Sequence, residues 1–214
     1  MTDSLRAREI HRALTKLYPD ARCSLLHGGD PWRLLVMARL SAQCTDERVN
    51  LISEELFRKF PTAAAMAAAP VEDIEDAIRS CGLFRGKARS IKDFSAILTE
   101  QYGGSVPSDM DALLALPGVG RKIANLIRGD LYALGGVVAD THCIRICGRL
   151  GFYPESKKDP LLTERVMEKL LPPEEQSDFC HRMVLFGREW CMARSPRCGE
   201  CPLRALCPKG EKET

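Results

Sequence analysis

Two groups of residues in this chain have types and spacings suited to chemistry. One is the string "LPGVGRK" at positions 116 to 122, followed by Asp140 in "VVADTHCIRICGR". A lysine amine can act as a nucleophile, and a nearby carboxylate can assist it. The other group is Cys191, Cys198, Cys201 and Cys207, spaced C-x6-C-x2-C-x5-C. Four thiolates so close in sequence can enclose one metal centre, either tetrahedral zinc or an iron–sulfur cubane. Spacing leaves both open, although zinc ribbons tend to pair two C-x2-C knuckles and this segment has one.

Pro117 restricts Leu116 to an extended conformation and so ends a helix. Gly118 and Gly120 permit a tight reversal, and a second helix is expected to begin between Val119 and Arg121. The amides of its first turn, reinforced by the helix dipole and by the cations Arg121 and Lys122, form an anion site suited to one phosphate. A bare G-x-G more often marks an αα-hairpin whose glycines serve geometry alone. Lys122 stands at the positive end of the dipole, where a cation is disfavoured. That placement has little structural purpose and suits an amine nucleophile. Asp140 follows a short apolar run and precedes a helical pattern, the position of an N-cap, which is worth about 1 kcal/mol. A capping carboxylate is held rigid, so capping and chemistry can coexist there.

The elements that must position these residues are helical throughout. Leu5, Ile10, Leu14 and Leu17 suggest one face of a first helix stopped by Pro19. "DPWRLLVMARLSAQCTD" and "NLISEELFRKF" read as two more, the second ended by Pro61. Thr62 can cap "AAAMAAAP", and "VEDIEDAIRSC" runs to Gly82. "GKARSIKDFSAILTEQYGG" ends in paired glycines, and Ser108 with Asp111 has the spacing of a capping box ahead of "MDALLAL". No strand alternation and no fixed-period repeat is apparent. The chain is read as all-α.

The bulk composition is that of an ordinary globular protein: 214 residues, 45% hydrophobic, 28% charged and a formal charge of +2. A mildly basic balance permits a polyanionic partner without demanding one. The N-terminal segment lacks the apolar core of a signal peptide, and no apolar run approaches the ~20 residues of a membrane span. A cytoplasmic, non-membrane, monomeric protein is expected. In that setting ten cysteines point to metal binding or buried thiols rather than to disulfides. Cys23, Cys44, Cys81, Cys143, Cys147 and Cys180 are read as small core residues or inert thiols.

The full string "LPGVGRK" resembles the helix-hairpin-helix motif of DNA-binding proteins, in which hairpin amides hold a backbone phosphate without reading sequence. Together with "VADTH", "LSAQCTD" at 40 to 46, "GLFRGKA" at 82 to 88 and the C-terminal cysteines, it resembles the endonuclease III family over nearly the whole chain. The lysine at 122 is similar to that of the bifunctional branch; related adenine glycosylases lack one there. This resemblance implies a DNA glycosylase and apurinic/apyrimidinic lyase of base excision repair, acting on duplex DNA with oxidised pyrimidines or abasic sites. Lys122 would attack the sugar C1′, Asp140 would assist, and a Schiff base and β-elimination would cut the strand.

The same resemblance implies a 4Fe–4S cluster on the four C-terminal cysteines. It implies two helical lobes with a DNA cleft between them. A six-helix lobe over 25–135 would contain the hairpin at about 108–130. A cluster lobe would be formed by 1–24 with 136–214, its metal loop at 191–207, so that Lys122 and Asp140 face each other across the cleft. Gln43 and Leu83 match family positions whose side chains enter the space left by a flipped nucleotide. Without that match Gln43 would be a polar helix end and Leu83 a core leucine. Asp46 is either a helix cap or a pocket residue. Arg194 and Arg197, in the acid-free loop "CMARSPRC", would face phosphates, as would the basic stretch "GLFRGKARSIK". Family members often carry a lysine where Ser195 stands, which lowers the charge this loop offers. In a bacterium, such an enzyme would associate with the nucleoid.

Overall fold

The structure, a computed structural model, describes residues 1–210. The described residues form α-helices and short 3-10 turns, with no strand among them. No helix among them is long and apolar enough to cross a membrane. The chain divides into two compact units, one of Cys23–Leu131 and the other of Met1–Arg22 with Tyr132–Thr214.

The unit spanning Cys23–Leu131 holds α2 (Pro31–Leu40), α3 (Asp46–Lys59), α4 (Ala63–Ala68), α5 (Val71–Ala77), α6 (Phe84–Tyr102), α7 (Met110–Leu114) and most of α8 (Arg121–Tyr132). Their starts are set locally. Asp30, Thr45 and Thr62 each accept a backbone N–H of the first turn of α2, α3 and α4, and Pro31 sits at the first position of α2. The left-handed Gly103 (φ 58°) terminates α6. The cap of α7 is Asp109, which accepts from Ala112 N at 2.9 Å. Ser108, the residue expected in that role, instead offers its carbonyl to Arg128 of α8 at 3.0 Å.

Leu34, Leu35, Leu56, Met66, Ile91 and Phe94 are fully buried in this unit. The Ala-rich α4 packs against α6, whose Lys92 donates to Ala67 O and Ala69 O at 2.6 Å each and so closes the end of α4. Trp32 donates its indole N–H to the buried Ser95 hydroxyl at 3.1 Å, which satisfies a polar pair that would otherwise cost stability.

The other unit packs α1 (Asp3–Leu17) against α10 (Pro160–Leu170) and α11 (Pro173–Glu189), and α9 (Thr141–Arg149) against α11. Its core includes Ala7, Ile10 and Leu14 from α1 and Phe179, Met183 and Phe186 from α11. The face of α1 is thus carried by Ala7, Ile10 and Leu14, an i, i+3, i+7 pattern. Leu5, expected on that face, is 51% exposed. Two short 3-10 helices, Cys198–Glu200 and Arg204–Leu206, complete the unit.

Candidate functional site

Between α7 and α8 the chain reverses within four residues. Val119 N donates to Leu116 O at 3.1 Å, with Pro117 second and Gly118 third at φ 77°. That is the residue order of a type II turn, which needs a left-handed third residue. Leu116 and Val119 are buried and anchor the turn from both sides. A Cβ at Gly118 would lie 2.6 Å from Arg39 Nε and 2.8 Å from Ser90 Oγ. Gly118 therefore serves the turn and the packing beneath it. Gly120 differs: it is exposed and a Cβ there would meet no atom within 4 Å. Its carbonyl accepts Ala124 N at 3.0 Å, the first bond of α8. The amides preceding Ala124 in this first turn have no acceptor within the helix. Arg121 and Lys122 follow at once, both exposed.

Asp140 occupies the N-cap of α9, its Oδ1 accepting Cys143 N at 2.7 Å. The carboxylate is half-buried and fixed in place by this bond.

Gln43 and Leu83 share an unusual backbone, with φ of 56° and 58°. Left-handed φ is uncommon for non-glycine residues and costs on the order of 1–2 kcal/mol. Leu83 is 67% exposed, so it is not a core leucine, and Gln43 is exposed as well. A Cβ on the neighbouring Gly82 would stand 3.5 Å from Gln43 O. The fold thus brings these two loops into contact and presents both side chains to solvent. Asp46, in the first turn of α3, accepts the Ser24 hydroxyl at 2.6 Å.

The four C-terminal cysteines line one cavity of about 120 Å³, walled by apolar residues that include Ile146, Leu150 and Leu203. Arg149 binds this segment at three points: Cys191 Sγ at 3.5 Å, Met192 O at 2.7 Å and Ala193 O at 3.0 Å. Arg145 reaches Cys191 O at 2.9 Å. Among the described residues no three His, Cys, Asp or Glu side chains meet as a site for a single ion. The thiol residues surround a volume rather than a point. That donor set fits a polynuclear iron–sulfur cluster, whose sulfurs an apolar wall and an arginine N–H can shield.

The basic residues divide in a way the sequence does not display. In "GLFRGKARSIK", Arg85 and Arg89 are exposed, but Lys87 is fully buried and donates to Leu40 O at 2.7 Å. With Lys92 capping α4, two of these four cations close helix ends and are not offered to phosphates. Arg194 is exposed, next to a left-handed Ser195 (φ 52°). Arg197 stacks over Trp190 at 4.7 Å and pairs with Glu200 at 2.9 Å, so an acid just outside the loop partly neutralises it. Three supporting residues stand out only in the structure: Arg39 under the hairpin, and Arg145 and Arg149, both within "DTHCIRICGR", behind the metal loop. The last two do carry a signal, since their i, i+4 spacing puts two cations on one face of α9.

Comparison with known proteins agrees with this geometry. Residues 36–173 match the family model of the HhH-GPD superfamily of base excision DNA repair proteins. Residues 191–207 match that of the iron–sulfur binding domain of endonuclease III. Endonuclease III of Bacillus subtilis is 41% identical over 211 residues, covering 97% of this chain and 95% of the relative. Endonuclease III of Synechocystis sp. is 44% identical over 207 residues, covering 96% and 93%. A solved structure of a trapped endonuclease III–DNA covalent intermediate matches with a TM-score of 0.89 at 42% identity, covering 99% of each chain. A non-covalent endonuclease III–DNA complex gives the same TM-score and identity, covering 99% of this chain and 98% of the other.

Hairpin, fold and matched segments together define a helix-hairpin-helix protein of base excision DNA repair. The chain belongs to the endonuclease III family. It is accordingly a DNA glycosylase and abasic-site lyase, and its cofactor is a 4Fe–4S cluster.

Proposed function

We propose that this glycosylase and lyase acts on oxidised pyrimidines and abasic sites in double-stranded DNA, with Lys122 as its nucleophile and Asp140 as its assisting carboxylate. The carrying observation is an exposed lysine in the first turn of α8, directly behind the open Gly120. A backbone phosphate bound at the hairpin amides sets the register of the strand without reading its sequence. The target nucleotide leaves the stack, at a cost of a few kcal/mol. Gln43 hydrogen-bonds the base left unpaired, and Leu83 fills the gap as an apolar plug. Their exposed, strained loops support this assignment.

Lys122 Nζ then attacks C1′ as the damaged base departs. The rigid Asp140 carboxylate accepts a proton from the amine and steadies positive charge on the sugar. Loss of the ring oxygen from C1′ gives a Schiff base, and β-elimination breaks the strand 3′ to the lesion. Cys191, Cys198, Cys201 and Cys207 hold the cluster, which when bound braces the loop carrying Arg194 and Arg197. Those two arginines add sequence-independent attraction to phosphates, Arg194 more than the paired Arg197. We assign the hairpin to a lobe over 25–135 and the cluster to a lobe of 1–24 with 136–214. The enzyme is placed in the cytoplasm, with the nucleoid if the host is bacterial.

Borohydride reduction tests the nucleophile. Wild-type protein is expected to form a covalent adduct with a duplex containing an abasic site. Lys122→Gln should lose both trapping and strand cleavage while still binding a stable abasic analogue. Asp140→Asn should keep the cap of α9, since Asn caps about as well, and lose most of the base-excision rate. A Lys122→Gln protein that still traps and nicks assigns the chemistry to another amine.

A further inference from the structure

Six cysteines lie outside the metal segment, and two of them form a pair that the chemistry above does not use. Cys44 donates its S–H toward Cys81 Sγ across 3.8 Å. The residues are far apart in sequence, Cys44 at the end of the turn after α2 and Cys81 in the bend before α6. Cys81 is 1% exposed, whereas Cys44 is half-exposed. One thiol can therefore be reached from solvent, and the other waits behind it. Burial, and then the neighbouring Cys44 sulfur, push the Cys81 thiol up to about 11. The fully buried Lys87 lies near both sulfurs and counters that shift, its ammonium favouring a thiolate at Cys81.

The location gives the pair its meaning. Cys44 directly follows Gln43, and Cys81 is separated from Leu83 only by Gly82. These are the two loops that touch at Gly82 and Gln43 O, and both carry an exposed residue in left-handed backbone. A bond between the sulfurs ties one loop to the other at their bases.

We propose that Cys44 and Cys81 are a thiol pair that oxidises reversibly to a disulfide and thereby locks the Gln43 and Leu83 loops together. The oxidant is a low-molecular-weight disulfide. The Cys44 thiolate attacks it, forming a mixed disulfide and releasing one thiol. The Cys81 thiolate then attacks the Cys44 sulfur and releases the second. The protein gives up two protons and two electrons, and the oxidant takes them up as two thiols. Closing the sulfurs from 3.8 Å to bonding distance, about 2.05 Å, asks for side-chain rotation at the two cysteines. The locked loops resist the rearrangement needed to open a base pair, so oxidation slows excision from duplex DNA. This last consequence rests on the role proposed for Gln43 and Leu83; formation of the bond does not.

The test uses the holoenzyme treated with glutathione disulfide, with cluster absorbance followed throughout. A mass loss of two hydrogens and a Cys44–Cys81 linked peptide under non-reducing digestion are expected, both reversed by dithiothreitol. Cys44→Ser and, separately, Cys81→Ala should abolish the linked peptide and keep the basal activity. Excision of an oxidised pyrimidine paired in duplex should fall severalfold on oxidation in wild type and remain unchanged in Cys44→Ser. Absence of the linked peptide, or a two-hydrogen mass loss that persists undiminished in Cys44→Ser, overturns the thiol pair. A linked peptide with an unaltered excision rate overturns the locking of the loops. Reduced wild type that excises nothing overturns instead the function proposed for the site.

Discussion

The hairpin and the metal loop are both irregular segments that follow a helix, yet different things hold them in shape. The hairpin is fixed by its own sequence: Pro117 and the left-handed Gly118 set the turn, and the buried Leu116 and Val119 anchor it. Arg39 and Ser90 close the space behind it. The segment from Cys191 to Cys207 has two three-residue 3-10 helices and a set of tethers from Arg145 and Arg149. Those tethers all fall at Cys191–Ala193, and beyond them the four cysteines face one volume walled by Ile146, Leu150 and Leu203. The hairpin is thus held by backbone and side-chain packing alone, whereas the metal loop offers four thiols as the donor set of a cluster. The anion site proposed for the hairpin, ready before DNA arrives, suits the first construction; the brace proposed for the metal loop, assembled once, suits the second.

This contrast is broken most severely by removing one thiolate. Metal binding that occurs only in the folded state adds directly to stability, and structural zinc sites contribute about 10–16 kcal/mol in apparent terms. A typical domain is stable by only about 5–15 kcal/mol in total. Cys198→Ser is therefore expected to yield protein that loses its iron and sulfide and loses cooperative melting in the unit holding α1 and α9–α11. Iron and sulfide analysis with thermal unfolding by circular dichroism checks this. A colourless Cys198→Ser protein with wild-type melting would mean that the loop stands without its cofactor.

Gly118→Val attacks the other side. It places a β-branched residue at φ 77° and drives its Cβ into Arg39 and Ser90. Left-handed backbone costs on the order of 1–2 kcal/mol and overpacking about 1–3 kcal/mol, which gives a destabilisation of about 2–5 kcal/mol. Denaturant unfolding should report it, with the iron content unchanged. A destabilisation below about 0.5 kcal/mol, the usual range for a surface change, would remove Gly118 from the packing beneath the hairpin.

What the sequence discloses follows the same division. The hairpin, the Thr62 cap, the C-terminal glycine of α6 and the cysteine spacing are legible because each is decided within a few residues. Ser108 has the spacing of a cap, yet Asp109 is the cap, and Arg128, twenty positions away, takes the Ser108 carbonyl. Lys87 and Lys92 look like surface cations in "GKARSIK", yet each ends a helix that precedes it by many residues. The Glu200 partner of Arg197 lies just beyond the acid-free loop, so the loop's own composition does not show it. The Cys44–Cys81 approach joins positions 37 apart, and no local pattern marks it. Ala7, rather than Leu5, faces the core of its unit because helical phase outweighs side-chain size.

The smallest expected effect on stability is also the sharpest test of the hairpin as an anion site. Gly120 is exposed, its Cβ position is open, and its φ is not in the left-handed region. Gly120→Ala adds a methyl group that meets nothing in the protein, at the start of a helix. Because Ala caps less well than Gly, a destabilisation of up to about 1 kcal/mol is expected. The space the methyl enters is the path by which a phosphate would approach the first turn of α8. Binding to damaged and undamaged duplex should weaken together, by severalfold, because a phosphate contact carries no base information. The log–log salt slope should also become shallower, by about 0.9 for each phosphate that the hairpin no longer neutralises. Fluorescence anisotropy over a salt series measures both quantities on one sample. If Gly120→Ala weakens only the damaged duplex, the hairpin takes part in lesion recognition rather than in holding the strand. If it weakens neither, the backbone phosphate is held elsewhere, and the open space beside Gly120 is not its seat.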